Sequence, residues 1–428
     1  MGEIKHNKNL KVLHISPLSL WDLGIGKGRI STFYPLRKFV ERGHSVLFLT
    51  SNSNIKSGIY EGIRVLRMIN VIPIRRRYLD TITTYLSLPL FIFFSLIQGL
   101  IIGIKFKPNV IYAHVDYCAF PAFIISKVLK ARCVLRLYGF SNSKFSFLYR
   151  LTQTIAFRLP LDLYIIVNDG TLGDKIIEKY RIASEKVLFW VNGVNKNWSE
   201  RPLNLYLREK IAPNNEKIVL SVSRLVGWKQ VDVLIKAIPN VIKEYRNVRF
   251  IIVGDGDQRR KLEDLVKDLN VSNFVNFVGS VSHEEVIDFM NISDIFVSMN
   301  ALSSINNPVL EAMSCGKAVI SLNTGASEDL IKNFENGILL EVEEKDKLAD
   351  YLLLLLLKND DLRSKLGSNA KNFILSKWPT WEERTEFEVR IIETLCFDDF
   401  YKFKEIKEKA DTVLDLRIFN KSKDRSNA

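Results

Sequence analysis

The feature that most constrains this chain is an alternation of short β-branched apolar runs with longer helical patterns, sustained along most of its length. The first half holds the strand candidates Leu10–Ile15, Ser45–Thr50, Ile63–Met68, Asn109–His114, Arg132–Leu137, Leu163–Val167 and Lys186–Trp190. The second holds Lys217–Ser223, Val248–Gly254, Phe274–Gly279, Asp294–Ser298, Lys317–Ser321 and Gly337–Glu341. Several are continuous apolar runs, as strands buried on both faces require. A β-α-β-α order predicts doubly wound parallel sheets. The order runs through twice, with a polar connector around Asn195–Glu216. The 428 residues suffice for two domains at about 100–200 residues each. The expected fold class is therefore α/β, two Rossmann-like domains facing across a cleft, with ligands at the carboxyl ends of the strands. The expected limits are 1–196, 197–380 and a C-terminal segment 381–428. That segment holds an amphipathic helix, Trp381–Leu395, and a charged tail read as a solvated helix with a frayed end. The six leucines Leu352–Leu357 read as part of a buried helix.

Composition removes several classes. Apolar residues make up 47% and charged residues 25%, which excludes disorder for the bulk of the chain. Cys118, Cys133, Cys315 and Cys396 lie far apart, without metal-ligand spacing or the pattern of a secreted disulfide framework. Met1–Leu10 carries no apolar core of a signal peptide, so the expected compartment is the reducing cytoplasm. The net charge of +13 is uneven: residues 1–200 hold 28 Lys+Arg against 12 Asp+Glu, and the remainder 33 against 36. A basic first half points to an anionic partner, either a membrane surface, a phosphorylated lipid or a nucleic acid. No RNP-like aromatic motif or helix-turn-helix signature supports nucleic acid.

Thr81–Ile104 is a run of 24 residues without charge, long enough to span a bilayer. Pro89 and the polar Thr81, Thr83, Thr84, Ser87 and Gln98 dilute it. Both flanks are basic, with Arg75-Arg76-Arg77 before and Lys105 and Lys107 after, so no positive-inside asymmetry orients a span. It also lies between two strands assigned to one sheet. Two readings stand: a segment in the membrane interface, or a helix buried in its own domain.

Three motifs carry chemistry. Leu23-Gly24-Ile25-Gly26-Lys27-Gly28 follows the first strand and opens a helix, where Gly26 and Gly28 admit close approach of a ligand and the helix start favours anions. It is neither a Walker A loop nor a dinucleotide fingerprint. Ser221–Lys229 follows the first strand of the second half and places Arg224 and Lys229 on the loop entering a helix, where two cations suit a pyrophosphate. Asn306-Asn307-Pro308-Val309-Leu310-Glu311 reads as a helix start, with Asn as cap and Pro in the first turn. Its free amides suit a phosphate, and Glu311 suits a ribose diol. On the residues alone a solvated charge pair and a dipole-complementing Glu311 account for these motifs as well.

The order of motifs resembles a known family. It runs Trp190-Val191-Asn192-Gly193-Val194-Asn195, Ser223-Arg224-Leu225 with Trp228-Lys229, Ile252-Val253-Gly254-Asp255-Gly256 and Val278-Gly279-Ser280-Val281-Ser282-His283-Glu284-Glu285. Pro308–Lys317, Gly325-Ala326-Ser327-Glu328 and Asn336-Gly337-Ile338-Leu339 complete it. This resembles the retaining glycosyltransferases of family 4, which have the GT-B fold; the likeness is strong over about Glu185–Glu341 and weaker but collinear from Leu10. The resemblance implies a nucleotide-diphosphate sugar held mainly by the second domain. Arg224 and Lys229 would hold the diphosphate, Glu311 the ribose, and the loops at Gly254 and Gly279 would pass near the nucleotide. His114 matches the family position near the transferred sugar. No metal or other cofactor is implied, and the last helix would cross back onto the first domain. His44 and His283 read as structural. The family has two glutamates with seven residues between them; Glu311 is the second, and Ser303 stands in place of the first. The Ser303–Asn307 loop would then offer hydroxyls, amides and backbone N–H groups to the sugar.

The expected function is metal-independent transfer, with retention, from a nucleotide-diphosphate sugar to a lipid-linked or phosphorylated glycan, by a cytoplasmic protein peripheral on the inner face of the cell membrane. The alternatives are a catalytically silent nucleotide-sugar-binding scaffold, suggested by Ser303, and a sugar-nucleotide epimerase-like enzyme.

Overall fold

Two sheets carry the chain. The computed structural model describes residues 9–18, 20, 30–51, 56–68, 80–138, 147–167, 173–303, 305–357, 360–397 and 403–408. They fall into two units, one drawn from Met1–Asn168, Leu172–Val191 and Glu382–Val413, the other from Asn192–Trp381. The strands of the first unit are β1 (Lys11–Ser16), β2 (Ser45–Thr50), β3 (Gly58–Tyr60), β4 (Ile63–Arg67), β5 (Val110–His114), β6 (Arg132–Leu137), β7 (Leu163–Val167) and β8 (Val187–Trp190). Its helices are α1 (Ile30–Glu41), α2 (Asp80–Phe106), α3 (Ala119–Leu129), α4 (Phe147–Arg158) and α5 (Gly173–Tyr180).

The second unit has α6 (Leu205–Ile211), α7 (Val231–Glu244), α8 (Arg259–Asp268), α9 (His283–Ile292), α10 (Asn307–Ser314), α11 (Ser327–Leu330), α12 (Leu348–Leu357) and α13 (Asp360–Lys377). Its strands are β9 (Lys217–Val222), β10 (Val248–Val253), β11 (Val275–Gly279), β12 (Ile295–Ser298), β13 (Ala318–Leu322) and β14 (Ile338–Leu340). A last helix, α14 (Trp381–Cys396), begins at the end of the second unit and runs through the first.

The sheet orders are β3-β4-β2-β1-β5-β6-β7-β8 and β11-β10-β9-β12-β13-β14. All pairings are parallel except β3 with β4. That hairpin was not expected. Gly58-Ile59-Tyr60 is too short to show a period, and the turn is made by Glu61 and Gly62, both at positive φ. The connector Asn195–Glu216 is also more regular than its polar composition implies. It holds a 3₁₀ turn over Lys196–Glu200 and α6, capped by the side chains of Asn195 and Asn204. In the tail, Phe403 and Ile406 are buried, which corrects the solvated-helix expectation for the part described.

In the first sheet, alternation of side chains separates two interiors. Leu13, Ile15, Ile111, Ala113, Cys133 and Leu135 pack with Phe91 of α2, Ala119 and Ile125 of α3 and Ala156 of α4. The intervening His14, Tyr112, His114 and Arg136 are fully buried on the other face. There His14 meets Phe39 of α1, and Tyr112 donates to Glu388 of α14 at 2.6 Å. Arg136 reaches the same carboxylate at 3.1 Å and Arg384 at 2.8 Å, while Arg384 Nε donates to Val191 O. Burial alone would raise the Glu388 pKa, but the two guanidiniums outweigh it and hold it below the usual range. Elsewhere along α14, Glu382 pairs with Lys38, and Arg42 bonds Glu386 and Glu393. His44, read from sequence as structural, bonds Glu393 at 2.8 Å and takes the Leu10 N–H on its other nitrogen.

Inside the second unit, the two segments that lead out of it are tied together. Val194 N donates to Pro379 O, Trp381 N donates to Val194 O, and Trp378 Nε1 donates to Asn192 O. A Cβ on Gly193 would lie 2.5 Å from Trp381 N, so only glycine allows this approach.

Removing the Glu388 carboxylate leaves two buried guanidiniums without their shared partner. Glu388→Ala is therefore expected to cost about 3–5 kcal/mol in urea unfolding of the full chain. Wild-type stability in that variant would show that the cluster does not hold α14.

Candidate functional site

The second sheet reverses its strand order between β9 and β12, and ligands of open α/β sheets bind at such a reversal, beyond the carboxyl ends of the strands. Both donor-type motifs leave from these two strands. Beyond β9, Ser223 N donates to Val253 O, Leu225 N to Asp255 O, and Gln258 N to Leu225 O, which fastens this loop to the one after β10. Gly254 has φ +128°, and a Cβ there would sit 1.9 Å from Ser223 O; one on Gly256 would sit 2.3 Å from Leu225 O. These glycines permit the close contact that keeps the loop in place. The loop turns Arg224 outward, exposed and 5.6 Å over the Trp228 ring, and a 3₁₀ turn ends at the half-buried Lys229. Gly279, at the end of β11, accepts from Gly254 N at 2.8 Å and has positive φ.

The loop after β12 joins this arrangement: Ala301 N donates to Trp228 O at 2.9 Å, and Thr324 Oγ1 donates to Asn300 O at 2.8 Å. Ser303 is buried, and its Oγ accepts from Ile305 N at 3.1 Å. Asn306 caps α10, its side chain accepting from Val309 N, with Asn307 and Pro308 in the first turn. Asn307 Oδ1 is buried without a hydrogen-bond partner among the described residues. Val309 is buried.

Glu311, only 4% exposed, bonds His283 Nε2 at 3.0 Å. His283 is the first residue of α9, whose start is fixed by a Ser282–Glu285 capping box, and its ring meets Trp198 edge-on at 4.8 Å. Burial disfavours its charged form, yet the Glu311 carboxylate outweighs burial and the His283 pKa is raised. His283 thus carries the imidazolium below that raised value and loses it as pH rises through it.

In the first unit the order reverses between β1 and β5. His114 ends β5 and is fully buried with both nitrogens engaged, Nε2 with His14 Nδ1 at 2.9 Å and Nδ1 with Tyr138 Oη at 2.7 Å. Tyr138 Oη lies 3.1 Å from Thr32 Oγ1. His14 Nε2 has no partner among the described residues. A buried lone pair costs less than a buried N–H, so the favoured polarity has His14 Nδ1–H donating to His114, His114 to Tyr138, and Tyr138 to Thr32. Burial first, then the charge of Arg136, lower the His14 pKa to about 3. Contact between His114 and a substrate therefore requires it to exchange one of these bonds. Val115 follows at φ 68°, a strained position for a β-branched residue, and Asp116 is raised to about 6, chiefly by burial.

Arg224, Lys229, Gly254, Ser303, Asn306, Asn307, Pro308, Val309 and Glu311 thus lie on loops beyond β9, β10 and β12 or in the helix that follows β12. Gly279 ends β11 beside them, and His114 belongs to the first unit. Gly26 and Gly28 lie outside the described residues. Sequence reasoning missed the partnership of His283 with Glu311, and it missed His14 and Asp116. A histidine at a capping box and a histidine inside a strand are the local signals that point to them. Among the described residues, no group of three His, Cys, Asp or Glu side chains is placed to hold a metal ion.

The sequence model described as glycosyl transferases group 1 matches residues 206–373. The chain is 28% identical over 225 residues to an uncharacterized glycosyltransferase of Methanocaldococcus jannaschii, covering 51% of this chain and 56% of that one. It is 24% identical over 331 residues to a phosphatidylinositol N-acetylglucosaminyltransferase subunit of Arabidopsis thaliana, covering 75% and 69%. The first of these alignments spans little more than half of the relative's length. Anabaena HepE, solved in complex with UDP and glucose, superposes with a TM-score of 0.71 at 19% identity, over 90% of this chain and all of that one. The fold is GT-B, and the match to the glycosyl transferases group 1 model falls within its second unit.

His14 stays neutral in the folded chain down to pH about 3, whereas an unfolded histidine protonates near 6.5. The unfolded state binds the extra proton, so stability is full above 6.5 and falls as pH drops toward 3. Unfolding free energies measured across that range should fall less steeply in His14→Phe than in the wild type. Parallel curves would assign the buried neutral histidine no part in acid sensitivity.

Proposed function

We propose that the chain transfers a sugar, with retention of configuration, from a nucleotide-diphosphate sugar to a lipid-linked or phosphorylated glycan. One observation carries this reading: the Arg224–Lys229 loop after β9 is bonded through Trp228 O to the loop that leads to α10, the helix bearing Glu311. Two cations near a helix N-terminus suit a diphosphate, and a buried carboxylate one turn further on suits a ribose diol. As the bond to the sugar breaks, negative charge grows on the departing diphosphate. Arg224 and Lys229 would stabilise it there, and the reading gives them, rather than a metal, that task.

The UDP in the HepE complex supports a nucleotide-sugar donor. The phosphatidylinositol in the name of the Arabidopsis relative supports a lipid-borne acceptor. The basic first half of the chain suits an anionic acceptor or surface, so the reading places the protein in the cytoplasm, peripheral on the inner face of the cell membrane. A silent nucleotide-sugar-binding scaffold is the second reading. Ser303 favours it, since its hydroxyl is bound to Ile305 N and no carboxylate stands at that position.

A thermal-shift screen of the full chain against nucleotide diphosphates and their sugars should single out one nucleotide. Arg224→Ala and Glu311→Ala should each weaken that binding about tenfold or more, as expected for a lost hydrogen bond to a charged group. Lys229→Ala should lower transfer of labelled sugar by about 100–1,000-fold. Binding without transfer or donor hydrolysis would favour the scaffold, and no shift with any nucleotide would remove both readings.

A further inference from the structure

Helix α2 is apolar around most of its circumference, whereas a surface helix of a soluble domain normally turns polar residues outward. Its inner face is explained by packing. Ser95 is buried, and a Cβ on Gly99 or Gly103 would come within 2.5 Å of Ile125 or 2.4 Å of Leu129, so small residues bring α2 close against α3. Its outer face has no such partner among the described residues. Leu90, Phe93, Ile97, Ile101 and Ile104, spaced at three and four residues, are between 41% and 60% exposed. On α3, Phe120 and Val128 are exposed as well.

At the C-terminal end of this stripe lies a cavity of about 590 Å³, lined by Gly103 and Ile104 of α2 together with Lys107, Lys127, Lys130 and Arg132. Arg132 pairs with Asp162 at 3.1 Å. The three lysines have no carboxylate partner among the described residues. Lys107 and Lys130 follow the ends of α2 and α3 with φ of 53° and 54°, the left-handed conformation in which a helix commonly places glycine. Each lysine therefore sits where glycine would be less strained. This cavity lies at the amino ends of β5 and β6, away from the loops beyond the carboxyl ends of the strands.

We propose that the outer face of α2 with this lysine-lined cavity is a docking surface for an anionic lipid bilayer, the stripe entering the interface and the cavity receiving a lipid phosphate. The proposal deepens the membrane part of the function proposed above. Charge decides the occupant: a cavity with three lysines that have no carboxylate partner among the described residues, continuous with an apolar helix face, matches the phosphate layer above the acyl chains. A window from Leu88 to Phe106 is long and apolar enough to cross a membrane, with only 28% of it buried. It nevertheless packs on α3 and β1, between strands β4 and β5 of a single sheet, so it lies along the surface and does not span.

The test is co-sedimentation of the full chain with vesicles of phosphatidylcholine, alone or mixed with phosphatidylglycerol. Binding should require the anionic lipid and weaken with salt. The double variant Phe93→Ser/Ile101→Ser should abolish it. The double variant Lys107→Gly/Lys130→Gly should lower binding to anionic vesicles by about 10–30-fold, taking roughly 1 kcal/mol per lysine. Because glycine relieves both left-handed positions, the second variant should melt no lower than the wild type, which separates lost docking from lost folding. Unchanged binding in either variant would overturn the proposal. So would a wild type that ignores anionic vesicles, or a stripe variant that turns a dimer into a monomer, since the face would then belong to a second copy. Nucleotide thermal shifts measured on the same samples report the donor reading separately: shifts retained without vesicle binding would sink the docking surface alone.

Discussion

A carboxylate without access to solvent, Glu388, sits between the guanidiniums of Arg136 and Arg384 and accepts from the phenol of Tyr112. Burying a charge is costly unless it is paired and hydrogen-bonded, so these groups can enter the interior only together. Two of them arrive on β5 and β6, and two on α14, about 250 or more residues later in the chain. The first unit is therefore finished only by the end of the chain. Its sheet has one face closed by α2, α3 and α4, and the other closed partly by a helix that the chain forms only after it has left the second unit. The outer ion pairs of α14 with Lys38 and Arg42 and its hydrogen bond with His44 align the helix, but they are more exposed and contribute less than the buried cluster.

The same face of the sheet holds the His14–His114–Tyr138–Thr32 chain, next to Arg136, whose guanidinium lies 5.0 Å over the Tyr138 ring. A nearby fixed positive charge and burial both keep His14 neutral. The cluster that anchors α14 thus also adds to burial in keeping His14 neutral at the strand-order reversal. Backbone strain at Val115 and the raised Asp116 follow directly after His114, which concentrates unusual chemistry at the carboxyl end of β5.

In the second unit the arrangement depends on backbone more than on charge. Glycines at 254 and 256 let two loops share hydrogen bonds, and Trp228 O ties in the loop before α10. Side chains at loop tips are costly to hold in place, so fastening the main chain fixes where Arg224 and Lys229 start and narrows the volume their charges explore. Glu311 is different, because its place inside the helix buries it, and a histidine from α9 compensates its charge.

The sequence alone determined the strand succession and the two parallel sheets, because continuous apolar runs such as Ile218–Leu220 and Ile111–Ala113 admit burial on both faces and little else. It also determined the Asn306 cap, since a cap is a local property of a few consecutive residues. Of the leucines Leu352–Leu357 in α12, by contrast, the structure buries Leu352, Leu355 and Leu356 and leaves Leu357 exposed. The motif residues beyond β9, β10 and β12 could be named from spacing, but not what they touch. That His283 would meet Glu311, that His44 would meet Glu393, or that a histidine inside β1 would bond one ending β5 was decided only by tertiary structure. So was the outward apolar face of α2, because a uniformly apolar helix carries no period to say which side is buried. Local pattern encodes how much of a residue leaves water, whereas which group replaces that water depends on segments brought together from far along the chain.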